Sequence, residues 1–102
     1  MIRRYDGAVK ADPELETLRQ AIDDIDSKIL ELVMARVRVV LSVGEYKRKR
    51  GLAVYDPERE RGLLDRLCSA AQPPLDRETV RRIFERLVDE SRRIEQRHIS
   101  TR

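Results

Sequence analysis

Aromatic residues are scarce in this chain of 102 residues, which has no Trp, one Phe and three Tyr. Aromatic residues make up 4% of the sequence and hydrophobic residues 40%. The chain is therefore too apolar to be disordered and too poor in aromatic residues for a typical β-sandwich or β-barrel. Glycine is also rare, at four residues, while Leu, Glu, Arg and Ala are common. This composition favours a single helical domain.

The chain has one cysteine, Cys68, and one histidine, His98. A disulfide within the chain is therefore excluded, and we expect a reducing, cytoplasmic environment. A catalytic cysteine needs a base, and His98 lies in what we expect to be a frayed end. The sequence also has no metal-ligand cluster, no Gly-rich phosphate loop and no Ser-His-Asp set, so it favours a function that depends on binding rather than on covalent catalysis.

Long apolar runs are absent, because no stretch approaches the roughly 20 residues that span a bilayer. The first ten residues carry charges but no apolar core, so we expect no signal peptide. The 22 basic residues slightly outnumber the 19 acidic ones, which gives a net charge of +3. This mild excess permits binding of nucleic acid or of a small anion but requires neither.

Two Asp-Pro-Glu segments, at 12–14 and 56–58, each predict the start of a helix. Asp caps a helix, Pro fits its first position, and Glu favours its positive end. The first predicted helix covers about 13–49 and would be roughly 55 Å long at about 1.5 Å per residue. Gly51 is its expected stop, and Asp76 is expected to cap a third helix. We expect a helical domain at 12–96, a flexible N-terminal tail at 1–11 and a frayed C-terminal tail at 97–102.

The first predicted helix carries an apolar seam in which the spacing alternates between three and four residues. The seam consists of Leu15, Leu18, Ile22, Ile25, Ile29 and Leu32. Two shorter helices cannot cover a seam of this length. We therefore expect an all-α fold with three helices per chain, in an intertwined helical homodimer with two-fold symmetry.

Arg36 stands where this seam requires an apolar residue, and Val43 and Lys47 share its face. On the third helix Ser91 and Glu95 lie four residues apart at the edge of the apolar face. Arg36 taken alone has a structural explanation, as the ion-pair partner of a buried Glu95 or as a side chain that snorkels to solvent. Taken together, inward cations of this kind predict a pocket for a small molecule with several negative charges.

Arg19 and Arg59, taken singly, are typical of solvated surface charges, and the basic run at 47–50 is typical of a helix end. Arg19 lies about 100° around the helix from Arg36 and roughly two dozen Å along it. These two arginines can share a site only if they come from different chains.

Five short motifs follow one another in a specific order and spacing. They are L-R-x-x-I-D-x-I-D at 18–26, A-R at 35–36, V-G-x-x-K at 43–47, D-P-x-R-E at 56–60 and E-S-x-x-x-E at 90–95. Together they resemble the AroQ class of chorismate mutases over about 14–96. The resemblance implies an intertwined helical dimer that rearranges chorismate to prephenate, for phenylalanine and tyrosine synthesis. It also implies no cofactor and two active sites, each built from both chains.

The resemblance implies a role for each matched residue. Arg36 would hold one substrate carboxylate, and Arg19 of the second chain would hold the other. Lys47 would contact a carboxylate and the ether oxygen, beside which Glu95 stands. For the remaining residues it implies cationic support by Arg59, contact with the ring hydroxyl by Asp56 and Glu60, support of a carboxylate by Ser91, and an apolar wall of Val43 and Val88.

Two positions depart from the family pattern. Glu95 stands where many members have Gln, and an ionised Glu accepts hydrogen bonds but cannot donate one to the ether oxygen. Arg92 stands where an apolar residue often faces the site. The orientation of Arg92 and the protonation of Glu95 are therefore the two open questions about the pocket.

Two alternative functions remain open on the sequence. One is an isochorismate-pyruvate lyase-like enzyme, which has a similar fold and related cationic contacts. The other is a basic helical dimer that binds nucleic acid or protein, although the stacking aromatics and Gly-rich turns of common nucleic-acid motifs are missing. We expect chorismate as the ligand, neither nucleic acid nor membrane as a partner, and possible docking to another shikimate-pathway enzyme.

Overall fold

A computed structural model describes residues 12–100 and forms three α-helices. They are α1 (Pro13–Lys49), α2 (Pro57–Ser69) and α3 (Arg77–Ser100). No strand occurs within the described residues. The prediction of an all-α chain with three helices is therefore confirmed. The predicted tail at 1–11 lies outside the described residues.

Each helix begins directly after an aspartate that caps it. The Oδ1 atoms of Asp12, Asp56 and Asp76 each accept a hydrogen bond from the backbone N–H three residues further along, at 3.2, 3.1 and 2.7 Å. These bonds satisfy N–H groups that have no partner inside the helix. The bond from the Thr79 backbone also lowers the pKa of Asp76.

Helix α1 ends at a glycine in the left-handed backbone region, as Gly51 has a φ of 67°. The Leu52 N–H donates to the Lys47 carbonyl at 2.8 Å, and the Gly51 N–H donates to the Arg48 carbonyl at 3.2 Å. This pair of bonds is a Schellman motif, in which glycine is favoured because it has no Cβ. The motif turns the chain sharply away from the helix axis beside Lys47.

Helices α2 and α3 pack against each other. Cys68 of α2 and Val80 and Val88 of α3 are buried. The Cys68 thiol lies 3.5 Å from the backbone carbonyl of Arg77 and donates to it. Cys68 is therefore part of the packing between the two helices.

Helix α3 continues to Ser100, past the point where we expected a frayed tail at 97–102 to begin. The His98 Nε2 atom lies 3.5 Å from the Glu45 Oε2 atom of α1, and Ile99 is half-buried. These contacts come from residues distant in sequence, so the pattern of α3 alone did not reveal them. Residues 101–102 lie outside the described residues.

The apolar seam in the first part of α1 is exposed. Five of its side chains are 52% to 70% exposed, namely Leu18, Ile22, Ile25, Ile29 and Leu32. In the described part of the chain, no helix combines the length and the apolar character that crossing a membrane requires.

Candidate active site

A pocket of about 270 Å³ is formed by α1, the segment after it, α2 and α3. It is lined by every residue that the sequence predicted for the site except Arg19: Arg36, Val43, Lys47, Asp56, Arg59, Glu60, Val88, Ser91 and Glu95. Further lining residues are Val39, Val40, Val54, Leu63 and Arg92. Residues spread over 36–95 thus converge on one cavity.

Arg36 reaches across from α1 to Ser91 on α3. Its Nη1 donates to the Ser91 Oγ at 3.1 Å, and that hydroxyl donates in turn to the Leu87 carbonyl at 2.7 Å. Ser91 is 3% exposed, so its position is fixed by the packing of α3. A guanidinium carries five N–H donors, and Ser91 takes one of them. Arg36 is therefore oriented by Ser91 and keeps donors for an anion in the pocket.

Lys47 lies in the last turn of α1, and its ammonium group lines the pocket. Its Nζ donates to the backbone carbonyl of Val54 at 3.1 Å. Since the Schellman motif at Gly51 reverses the chain between these residues, the end of α1 and the segment after it position the ammonium together. An ammonium has three donors, so two remain beyond the bond to Val54.

Glu95 is almost fully buried, at 7% exposed, and packs on α1 at Gly44. A Cβ at Gly44 would lie 2.5 Å from the Glu95 Oε2 atom, so the carboxyl group occupies the space that a larger residue would take. Burial raises the pKa of Glu95 and the charge of Glu60 raises it further, while the nearby Lys47 and Arg92 lower it. The protonated form is therefore favoured relative to a carboxyl group in water.

Arg92 points to Glu60 of α2, which answers the question of its orientation. Its Nε donates to the Glu60 Oε2 at 3.3 Å, and its Nη2 donates to the Glu60 Oε1. The guanidinium also stands 4.8 Å from the centre of the Tyr55 ring and 3.5 Å from the Asp89 carboxylate. The hydrogen bond to Glu60 raises the pKa of Arg92. The sequence offered no signal for this pair, because its members are 32 residues apart and on different helices.

Asp56 and Arg59 lie at the start of α2. The Asp56 side chain is engaged as the helix cap by the Arg59 backbone N–H, while the Arg59 side chain is exposed. Arg59 therefore adds positive charge at the open side of the pocket.

Arg19 lies in the first part of α1 and not among the residues that line this pocket. It is exposed and forms an ion pair with Glu16, one turn away on the same helix, at 3.4 Å. Exposed pairs of this kind contribute little to stability. Arg19 is therefore the one predicted site residue that the structure does not bring to the cavity.

The pocket has both cationic and carboxyl side chains, and an anion can bind where Arg36 and Lys47 keep free donors. Arg36, Lys47, Arg59 and Arg92 supply positive charge, Asp56, Glu60 and Glu95 supply carboxyl groups, and valines and a leucine supply an apolar wall. Sequence reasoning missed Val54 and Leu63 because their side chains enter only through the packing of α2 and the segment before it. Among residues 12–100, no group of three or more His, Cys, Asp or Glu side chains is placed to hold a metal ion.

Comparison with known proteins places these residues in a family. Residues 18–96 match the family model described as chorismate mutase type II. The chain is 30% identical over 87 residues to a chorismate mutase of Methanocaldococcus jannaschii, an alignment that covers 84% of this chain and 88% of that protein. It is also 37% identical over 76 residues to the T-protein of Enterobacter agglomerans, covering 70% of this chain but only 20% of that longer protein.

A solved structure supports the same assignment. The chorismate mutase (Form II) from Thermus thermophilus has a TM-score of 0.79 and 32% sequence identity, over 82% of this chain and 96% of that one. The matched region includes every lining residue of the pocket. The family resemblance predicted from the motifs is confirmed, and the chain belongs to the chorismate mutase type II family.

Proposed function

We propose that this chain catalyses the rearrangement of chorismate to prephenate in the pocket described above. The observation that carries the proposal is the convergence of Arg36, Lys47, Ser91 and Glu95, from three separate motifs, on one cavity of about 270 Å³. The reaction would serve the synthesis of phenylalanine and tyrosine. Residues 12–96 would be the catalytic domain of a cytoplasmic enzyme that needs no cofactor.

The pocket must first hold the two carboxylates of the substrate. Arg36, oriented by Ser91, would hold one carboxylate through paired N–H donors. The second carboxylate needs another cation, for which we propose Arg19 of a second copy of the chain. Holding both carboxylates keeps the enolpyruvyl arm over the ring and removes unproductive conformers, which lowers the barrier.

The pocket must also stabilise the ether oxygen as the C–O bond breaks. This pericyclic rearrangement needs no nucleophile and no proton transfer, but negative charge grows on the ether oxygen. Lys47 and a protonated Glu95 would donate hydrogen bonds to that oxygen. Donors that are already in place bind the transition state more tightly than the substrate, and each is worth roughly 3 kcal/mol.

The rest of the pocket would orient the ring. Glu60, with the backbone of Asp56, would engage the ring hydroxyl, and Arg59 would add positive charge near the opening. Val43 and Val88 would provide the apolar surface on which the ring packs. All five residues line the cavity, which supports these roles.

The exposed seam of α1 supports an intertwined homodimer. Five large apolar side chains of the seam, from Leu18 to Leu32, are at least 52% exposed, and helical seams of this spacing pair with other helices. A two-fold dimer would cover the seam and could bring Arg19 of one chain to the site of the other. Docking to another shikimate-pathway enzyme stays a further prediction, as does the absence of nucleic-acid and membrane partners.

A direct assay tests the proposal. Purified chain should consume chorismate, followed by loss of its absorbance, with prephenate as the identified product. Isochorismate in place of chorismate tests the lyase alternative, for which pyruvate would be released. Salt-sensitive binding to DNA without turnover of either compound would favour the basic binding protein. Arg36→Ala is the control, and it should remove the mutase activity while helicity is retained.

A further inference from the structure

The contact between Arg92 and Glu60 is a bidentate ion pair in the wall of the pocket. Two nitrogens of one guanidinium donate to the two oxygens of one carboxylate. The side chains are only 28% and 26% exposed. A bidentate arginine contact of this kind, called an arginine fork, fixes both the position and the plane of a carboxylate, which a single hydrogen bond does not.

Arg92 is itself held from two other directions. The Tyr55 ring lies 4.8 Å from its guanidinium carbon, and the Asp89 carboxylate lies 3.5 Å from its Nη1. These contacts limit the rotamers of a long side chain. Arg92 therefore connects the segment before α2, the first turn of α2 and the middle of α3 at one point of the wall.

Glu60 keeps hydrogen-bonding capacity after this contact. A carboxylate has about four lone-pair positions, and the arginine fork uses one on each oxygen. Glu60 and Glu95 both line the pocket. Without Arg92, Glu60 would lose its direct ion-pair partner while it stands beside Glu95 and beside a substrate with two carboxylates. The neighbouring cation offsets this repulsion and leaves Glu60 able to accept from a hydroxyl group.

We propose that Arg92 is a positioning residue for the rearrangement: its guanidinium holds the Glu60 carboxylate in the orientation in which it accepts the ring hydroxyl of chorismate. The inference rests on the proposed function, because it needs chorismate in the pocket. It assigns a role to a side chain that no motif of the sequence had explained. Arg92 acts through Glu60, so its removal should weaken substrates that carry the ring hydroxyl more than substrates that lack it.

The test compares chorismate with an analogue that lacks the ring hydroxyl. Arg92→Ala should lower kcat/KM for chorismate by roughly tenfold to a hundredfold, the scale of a misplaced contact group. For the analogue, the loss in kcat/KM should be much smaller, because the analogue has no ring hydroxyl for Glu60 to accept from and shares only the change in charge. Arg92→Lys keeps the charge but not the fork, so it should recover part of the loss. Arg92→Lys can also replace the alanine variant in this comparison if the alanine variant does not fold.

Arg93→Ala is the matched control. Arg93 is the next residue of α3 and forms an exposed pair with Glu90 at 3.0 Å, so the change removes an arginine from the same turn without touching Glu60. It should leave both substrates unaffected. Equal losses for chorismate and the analogue in Arg92→Ala and Arg92→Lys would overturn the proposal and make Arg92 a structural residue.

A double-mutant cycle provides the second measurement. Glu60→Gln should reduce kcat/KM for chorismate, and adding Arg92→Ala to it should cost little more, because the carboxylate that Arg92 holds is already gone. Independent, multiplied losses would overturn the proposal. Failure of wild type to convert chorismate at all would instead refute the proposed function, so the two failures are distinguishable.

Discussion

The two parts of α1 use one helical pattern for different purposes. Between 13 and 34 the seam is apolar and exposed, with Ile25 at 56% and Leu32 at 70%. From 35 onward the same helix presents Arg36 and Lys47, both half-buried, and Gly44, which is buried. The first part carries apolar side chains that its own unit leaves uncovered. The second part carries polar side chains that its own unit partly covers, although apolar side chains such as Val39, at 62%, are also exposed there.

The two parts of α1 differ in what surrounds them. An exposed apolar seam has a surface still to be covered, and we propose that a second chain covers it. A charged residue on a covered seam is costly unless it has partners, and Arg36 has one in Ser91. Arg36, which interrupts the pattern, is also the first residue of α1 that lines the pocket.

The largest effect is expected from a charge on the exposed seam. Ile25→Glu would place a carboxylate in the proposed dimer interface, and burying an unpaired charge there costs several kcal/mol. The variant should therefore sediment as a monomer and lose nearly all activity. Wild type at micromolar concentration should sediment at twice the 12.0 kDa chain mass.

Ser27→Glu is the control for this change. Ser27 is exposed and lies two residues along the helix, on the face opposite the seam. It should remain dimeric and active. A folded, fully active monomer, in either wild type or Ile25→Glu, would contradict the shared-site proposal.

The next largest effect is expected when Arg19 and Arg36 are substituted in separate chains. Arg19→Ala and Arg36→Ala should each lower activity by roughly a hundredfold to a thousandfold with helicity intact. Refolded together in equal amounts they should recover about a quarter of wild-type activity, because half of the dimers are mixed and each mixed dimer has one intact site. The measurement is turnover after mixing, with mixed dimers identified by a mass tag. No recovery in the presence of mixed dimers would place both arginines in a site within one chain.

The buried carboxyl group predicts a pH dependence. Burial raises the pKa of Glu95 above its ordinary value of 4.5. A protonated Glu95 donates to the ether oxygen, whereas a carboxylate cannot. Turnover should therefore rise as pH falls through the raised Glu95 pKa, until the substrate carboxylates or the fold fail. Glu95→Gln should flatten this profile and hold or raise activity at neutral pH. Glu95→Ala should lose activity at every pH, by roughly 3 kcal/mol.

The same shift has a consequence for stability. Because the native pKa is raised, the contribution of Glu95 to stability is fully present below 4.5 and is lost as pH rises through the native pKa. Glu95→Gln should therefore be more stable than wild type at neutral pH, measured as a higher Tm. A flat wild-type activity profile, with Glu95→Gln as impaired as Glu95→Ala, would show that Glu95 is not the ether donor.

Local chemistry explains which parts of the fold were predictable. Asp12, Asp56 and Asp76 cap their helices through contacts within three residues, and Gly51 ends α1 through bonds to the turn before it. Such signals lie within a few positions of the feature that they specify. The end of α3 was less predictable, since it depends on the contact of His98 with a different helix.

Most residues that line the pocket were predictable from the sequence, but the position of Arg19 outside it and the contacts within it were not. Motif order indicated Arg36, Lys47 and Glu95, and all three line the pocket. The pairing of Arg92 with Glu60 was not predictable, because it depends on the relative rotation of α2 and α3. Residue types at fixed spacing thus indicate which residues line the pocket, while the packing of the helices determines which of these residues contact one another.

The smallest expected effect concerns the glycine under the buried carboxyl group. Helix interiors favour Ala over Gly by about 1 kcal/mol, so helix propensity alone would make Gly44→Ala stabilise α1 by that amount. Its Cβ would lie 2.5 Å from the Glu95 Oε2, however, and must displace that carboxyl group. We expect kcat/KM to fall by roughly tenfold, since small displacements of a reacting contact are costly. In a Glu95→Ala background the added change should cost nothing.

Gly62→Ala is the matched control for that helix change, because Gly62 lies within α2 and a Cβ there would meet nothing within 4 Å. It should raise the free energy of unfolding by up to about 1 kcal/mol and leave kcat/KM unchanged. If Gly44→Ala behaves like Gly62→Ala, the contact of Glu95 with α1 has no part in the reaction. If Gly44→Ala loses activity only while Glu95 is present, the absence of a side chain at 44 is a requirement of the site rather than of the helix.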